Sequence, residues 1–111
     1  MVKAIEDLAN SLGDHWILDA DHKPVRVGIL EWGKFFQSTD GRIVAQDQIG
    51  DAKVSTVFLG IDHGWDDGPP VLFETMIFGG PHDQETWRCC TWKQAEAQHE
   101  EACRLVRGGK S

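Results

Sequence analysis

Residues 54–63, VSTVFLGIDH, and residues 71–78, VLFETMIF, decide how this chain reads. Both runs are dense in β-branched and aromatic residues, which suit a pleated, half-buried strand. Between them lies GWDDGPP, residues 64–70, a loop of small, acidic and chain-stiffening residues. A connection this short joins antiparallel neighbours, so the two runs predict a β-hairpin. Centring the loop on Asp67 pairs His63 with Val71 and Ile61 with Phe73. Side chains alternate along a strand, so this register puts Val57, Leu59, Ile61, Phe73, Thr75 and Ile77 on one side, the expected core face. The other side receives Thr56, Phe58, Gly60, Glu74, Met76 and Phe78, half of it apolar and half polar. Gly60 opposite Glu74 would leave a hollow there, the expected approach for a ligand or partner to the sheet.

Outward from the hairpin, the chain reads as a small α+β domain. Val2, Ile5, Leu8 and Leu12 recur at helical spacing before Gly13, predicting an N-terminal helix with a glycine stop. His15, Trp16, Ile17 and Leu18 read as a strand that enters the polar turn 19–23, and Pro24, Val25 and Val27 as a returning edge strand, where proline is tolerated. Ile29, Trp32 and Phe36 share a helical face and predict a short middle helix, which Gly33 weakens by about 1 kcal/mol relative to alanine. Residues 42–49 alternate as a strand with Ile43, Ala45 and Ile49 on one side, despite Asp47 on that same side. Residues 82–90 carry no clear pattern. Thr91 and Gln94 have capping-box spacing, so a C-terminal helix is expected over about 92–106, with Trp92, Ala95, His99, Ala102 and Val106 on its inward stripe, Cys103 bordering that stripe, and Glu96, Glu100 and Glu101 mostly outward. One domain over 1–107 with a frayed tail at 108–111 is the expected organisation.

The totals narrow the function classes. The chain has 111 residues, enough for one core and too few for two ordinary domains. Eighteen acidic against eleven basic residues give a formal charge of −7, which disfavours direct binding to nucleic acid or anionic membrane. The same charge could imitate a nucleic acid in a basic groove, or simply keep the protein soluble. Three cysteines, an odd number without a basic, apolar leader, fit a reducing compartment better than a disulfide scaffold. No run reaches the ~20 apolar residues that cross a bilayer.

Several constellations invite chemistry. Asp62, His63, Asp66 and Asp67, with Glu74 across the hairpin, offer hard oxygen and imidazole donors of the kind a metal-dependent hydrolase uses, yet Asp and Gly are equally what a tight, solvated turn requires. Trp65, in the middle of that loop, either folds back over the hairpin or stands out as an anchor for a partner. The candidate binding set is therefore Gly60, Asp62, His63, Trp65, Asp66, Asp67 and Glu74. Cys89, Cys90, His99 and Cys103 could suggest zinc, but adjacent cysteines do not converge easily on one ion and there is no Cys-x-x-Cys, so His99 reads as a satisfied, half-buried residue. Ser55 and Thr56 lie within a strand without a nucleophile elbow, and the terminal GGKS, residues 108–111, lacks the spacing of a phosphate loop. No cofactor and no catalytic residue is assigned on these grounds.

Residues 54–63, residues 68–79 (GPPVLFETMIFG), Trp87, Arg88, Thr91, Trp92, Ala95, Glu96, Ala97 and His99 together resemble a family of short uncharacterised proteins encoded by bacteriophages and prophages, with a weaker echo at residues 16–19 and at Glu31 and Trp32. The resemblance implies a phage-type accessory protein made in the cytoplasm of a bacterial host, and it brings no catalytic residues with it. Family members carry other residues at Cys89, Cys90 and Cys103 and vary in the loop 64–67, which counts against zinc and against shared catalysis there. The leading expectation is stoichiometric binding to a host or phage protein, in one version inhibiting a defence or nucleic-acid-handling protein. A small-ligand or nucleotide-binding module on the Gly60–Glu74 face is the alternative, with a homodimer possible in either case.

Overall fold

The rungs of the central hairpin step from apolar to polar and back to apolar, and this stepping organises the fold. The structure, a computed structural model, describes residues 15–37, 39–64 and 68–108. It is α+β, with two antiparallel sheets and, among the described residues, two α-helices. Strands β1 (Trp16–Leu18) and β2 (Pro24–Arg26) form a two-stranded ribbon. Helix α1 (Ile29–Gln37) and a 3-10 turn (Thr39–Arg42) lead into β3 (Ile43–Ile49) and β4 (Ala52–Phe58). Strands β5 (Phe73–Phe78) and β6 (Thr86–Cys89) complete a four-stranded sheet of order β3-β4-β5-β6, all antiparallel. Helix α2 (Trp92–Val106) packs on all four of its strands. Thr91 caps α2 through the expected box, its hydroxyl accepting from the Gln94 amide while the Gln94 side chain accepts from the Thr91 amide.

The hairpin is present, with a different register. Phe58 pairs with Phe73, Thr56 with Thr75 and Val54 with Ile77, three residues away from the expected match. An odd shift exchanges the faces. Val54, Thr56 and Phe58 therefore point to the helix, whereas Val57 and Leu59 are only half-buried and Ile61 is exposed. The expected inward set is right for Phe73, Thr75 and Ile77 and wrong for its other three members. Strand β4 also ends at Phe58 rather than at His63, and β5 begins at Phe73 rather than at Val71.

The cause lies at Gly60. The His63 amide does donate to the Val71 carbonyl (2.9 Å), as the expected register requires, but the Leu59 amide donates to Leu72. Residues 60–62 are thus an excursion out of the ladder. Gly60 sits at φ +76°, where only glycine is unstrained, and its carbonyl accepts from the Trp16 amide (2.8 Å) and from the Trp32 indole (3.1 Å). Ile61 then bridges His15. The chain leaves the large sheet to hold the ribbon and α1, which a symmetric hairpin could not do.

Two apolar clusters form the core. Leu18, Phe58, Leu72, Phe73 and Ala95 make one, extended by Trp16, Phe35, Phe36, Val44 and Trp92. Ala52, Val54, Ile77, Ala102 and Cys103 make the other, extended by Ile49, Trp87, Leu105 and Val106. The expected strand over 42–49 is β3, with a bulge between Ile43 and Ala45 that pairs Ile43 with Val57 and sends Val44 into the first cluster in its place. The unassigned stretch 82–90 contains β6. The predicted N-terminal helix and the tail beyond Gly108 lie outside the described residues.

Candidate functional site

Two faces of the four-stranded sheet carry its polar chemistry. On the covered face, the Thr56–Thr75 rung lies between the two apolar clusters, and His99 of α2 meets it. Thr56 Oγ1 and Thr75 Oγ1 are 2.7 Å apart, and His99 Nδ1 is 2.8 Å from Thr56 Oγ1. The other ring nitrogen, Nε2, lies 2.7 Å from Asp47 Oδ2, and the Cys103 thiol donates to the same oxygen at 3.7 Å. Both threonines are fully buried and the His99 side chain is 4% exposed, while the Asp47 side chain is half exposed. Thr56, Thr75 and His99 each find a partner in this array, which is what burial in a low-dielectric interior demands. Hydrogen bonding from His99, assisted by Cys103 and by the nearby Arg107 charge, outweighs partial desolvation and holds the Asp47 carboxyl below the usual aspartate range. Burial, with the Asp47 charge beside it, pushes the Cys103 thiol up.

This chain of Asp47, His99 and Thr56 has the connectivity of an acid–base–nucleophile relay, but Thr56 has no exposed surface. Its hydroxyl is spent inside the fold, so the array joins helix to sheet.

The opposite face carries Lys53, Ser55 and Val57 of β4, Glu74, Met76 and Phe78 of β5, and Arg88 of β6, flanked by Gln46 and Arg42. Only Ser55 of these is buried, and Phe78 is 45% exposed. Eight of these side chains, all but that of Arg88, line a shallow hollow of about 270 Å³. Arg88 Nε donates to Glu74 Oε2 at 2.9 Å, and the Gln46 side-chain amide donates to the Ser55 hydroxyl at 3.0 Å. The mixed face expected of the hairpin therefore exists, and Glu74, Met76 and Phe78 are on it; its β4 members are Lys53, Ser55 and Val57 instead of Thr56, Phe58 and Gly60.

The remaining expected site residues scatter. Gly60 does not face Glu74, which pairs with Val57. It is buried beneath α1, where an added Cβ would lie 2.7 Å from the Trp32 indole nitrogen and closer still to the Phe36 ring, so the expected hollow beside it is filled. Asp62 Oδ1 accepts from the amides of Gly64 (2.7 Å) and Val71 (2.8 Å) and thereby closes the loop mouth. His63 is exposed. Trp65, Asp66 and Asp67 lie outside the described residues. The four residues weighed and set aside as zinc donors are not brought to one point: Cys103 joins His99 and Asp47, and Cys90 instead reaches the Pro69 carbonyl.

Sequence reasoning missed the pairing of Asp47 with His99. Its signal was present: a lone carboxylate on the inward side of β3 and a lone histidine on the inward stripe of α2 each need a partner, and each is the other's.

Comparisons with protein families, with curated proteins and with solved structures find no match to this chain. No described helix is long and apolar enough to cross a membrane.

Proposed function

We propose that this chain is a phage-type accessory protein that acts by stoichiometric binding to a host or phage protein, and that the face of its sheet opposite α2 is the contact surface. The observation that supports the reading most directly is the composition of that face. Val57, Met76 and the exposed ring of Phe78 lie beside three cations, Arg42, Lys53 and Arg88, with Glu74 the one carboxylate among them. On a chain of net charge −7 this is a local reversal of sign. An aromatic residue and arginines around a dry centre are what protein interfaces concentrate. The partner surface that fits is apolar at its centre and acidic at its rim.

The nucleotide-binding alternative would use the same hollow. At about 270 Å³ it falls below the ~300–1,000 Å³ of sites that enclose drug-sized ligands, so a flat partner suits it better than an engulfed one. The test is affinity capture from bacterial and phage-infected lysates with the wild-type chain and with Phe78→Glu. One dominant partner, lost with Phe78→Glu and weakened by salt, is the expected result. Equal capture by both proteins would move the interface elsewhere, and thermal stabilisation by a nucleotide without any protein partner would favour the alternative.

A further inference from the structure

On the covered side of the sheet, the geometry points to a binding site for a thiophilic divalent transition metal, of the zinc or cobalt type, formed by Asp47, His99 and Cys103. Their donor atoms all lie within 4.8 Å of one another. His99 and Cys103 are four residues apart on α2 and so project from one helical face, and Asp47 meets them from edge strand β3. Nitrogen, sulfur and carboxylate oxygen are the donors that zinc accepts, and the thiol disfavours calcium and magnesium.

The distances can be set against a tetrahedral ion. Bonds of about 2.0–2.3 Å place neighbouring ligand atoms roughly 3.3–3.7 Å apart. Cys103 Sγ and Asp47 Oδ2 are at 3.7 Å already. His99 Nε2 and Asp47 Oδ2, at 2.7 Å, are hydrogen-bonded and must separate by a little over half an ångström. Asp47 is able to give way because half of its side chain is in solvent.

The second shell is in place. A metal on Nε2 requires the ring proton on Nδ1, and Nδ1 faces the Thr56 hydroxyl, which in turn faces Thr75. Both hydroxyls rotate, so Nδ1–H donates to Thr56 and Thr56 donates to Thr75 with no heavy atom displaced. The balance is simple. The thiol loses its proton to solvent, Nε2 gives up the proton it shares with Asp47 so that the ring binds as a neutral ligand protonated on Nδ1, and one carboxylate and one thiolate neutralise the dication. Arg107 adds a positive charge near Asp47 and Glu100 a negative one near Cys103, so the surroundings impose no strong net field.

The experiment uses Co(II) as the probe, in a full-length Cys89→Ser, Cys90→Ser background that leaves Cys103 as the sole thiol. One equivalent should bind with thiolate-to-cobalt charge transfer in the near ultraviolet and visible bands of a four-coordinate ion. Cys103→Ser should abolish the charge transfer, Asp47→Asn should weaken binding, and Thr56→Val should weaken it roughly 10–100-fold through the second shell. Circular dichroism establishes that each variant is folded. A folded background protein that shows no charge-transfer band overturns the proposal without recourse to any variant at the site. So does binding that is unchanged in Asp47→Asn. The open sheet face takes no part, so loss of this site would leave the partner-binding reading standing, and the reverse holds too.

Discussion

Neighbouring residues on one strand, Ser55 and Thr56, have similar hydroxyls and lie on opposite faces of the same sheet. On the covered face, Thr56 is part of a closed set of bonds among Thr75, His99 and Asp47, flanked by aromatic and aliphatic rungs. On the open face, Ser55 receives one bond from an exposed glutamine, and its neighbours Glu74 and Arg88 pair beside water. The difference teaches that polarity on this sheet is tolerated for two unrelated reasons. One face excludes water and must satisfy each polar group internally; the other need not.

The largest expected contrast is apolar. Phe58, at 1% exposure, is packed among Phe35, Phe36 and Phe73. Phe58→Ala should cost about 3–5 kcal/mol in urea-unfolding free energy, from lost transfer and an unfilled cavity. Phe78→Ala, on the open face, should change stability by less than about 1 kcal/mol, because its ring is already nearly half in water. Similar losses for the two variants would mean that both faces are covered in solution, as in a dimer joined through the open side.

Next comes the polar contrast. Thr56→Val keeps the shape and removes the hydroxyl, leaving His99 Nδ1 buried opposite a methyl group. A cost of about 1–3 kcal/mol follows from an unsatisfied buried polar group. Ser55→Ala frees a glutamine that water can solvate, so its cost should stay below about 1 kcal/mol. Measuring both by urea denaturation tests whether the network is closed, as the distances state.

These contrasts also show what was legible beforehand. The capping box at Thr91, the ribbon at 16–26 and the existence of the hairpin followed from local chemistry, because spacing and turn residues act over a few positions. The register did not. It was set by Gly60, whose left-handed conformation is required by the tertiary docking of Trp32 and Phe36, and nothing within 54–63 announces that docking. Alternation then carried the error to every β4 side chain at once, and with it the candidate site: Glu74 kept its place, whereas Gly60 moved from a surface hollow to the floor beneath α1. Strand β6 escaped notice because its four residues, TWRC, are too few to display an alternating pattern, and pairing with β5 is what marks them as a strand. Asp47 and His99 were each visible as anomalies, and only a three-dimensional arrangement could join them across 52 residues.

A pH series sharpens the comparison further. The Asp47 carboxyl titrates below its unfolded value because His99 holds its charged form. A depressed carboxylate contributes stability above the ordinary aspartate range and loses it as pH falls through the folded value. The melting temperature of the wild-type chain should therefore exceed that of Asp47→Asn at neutral pH, with the gap shrinking between roughly pH 5 and pH 2. A gap that is constant over this interval would mean that the carboxylate charge contributes nothing to the bond with His99.

The smallest effect belongs to the ion pair of the open face. Glu74 and Arg88 are cross-strand partners at 2.9 Å, with side chains 20% and 47% exposed. Exposed pairs of this kind contribute about 0.2–1 kcal/mol, since water screens the attraction and two long side chains lose freedom to maintain it. Glu74→Gln should fall in that range and its effect should shrink in high salt. Removing the same carboxylate also takes the one negative charge out of the set that includes Arg42, Lys53 and Arg88, so the face becomes more cationic. If that surface engages an acidic rim, Glu74→Gln should leave folding almost untouched and tighten partner binding at low salt. A carboxylate maintained for stability would give the opposite pattern, with a larger folding loss and no gain in binding, and the two readouts together separate a face kept for the fold from a face kept for a partner.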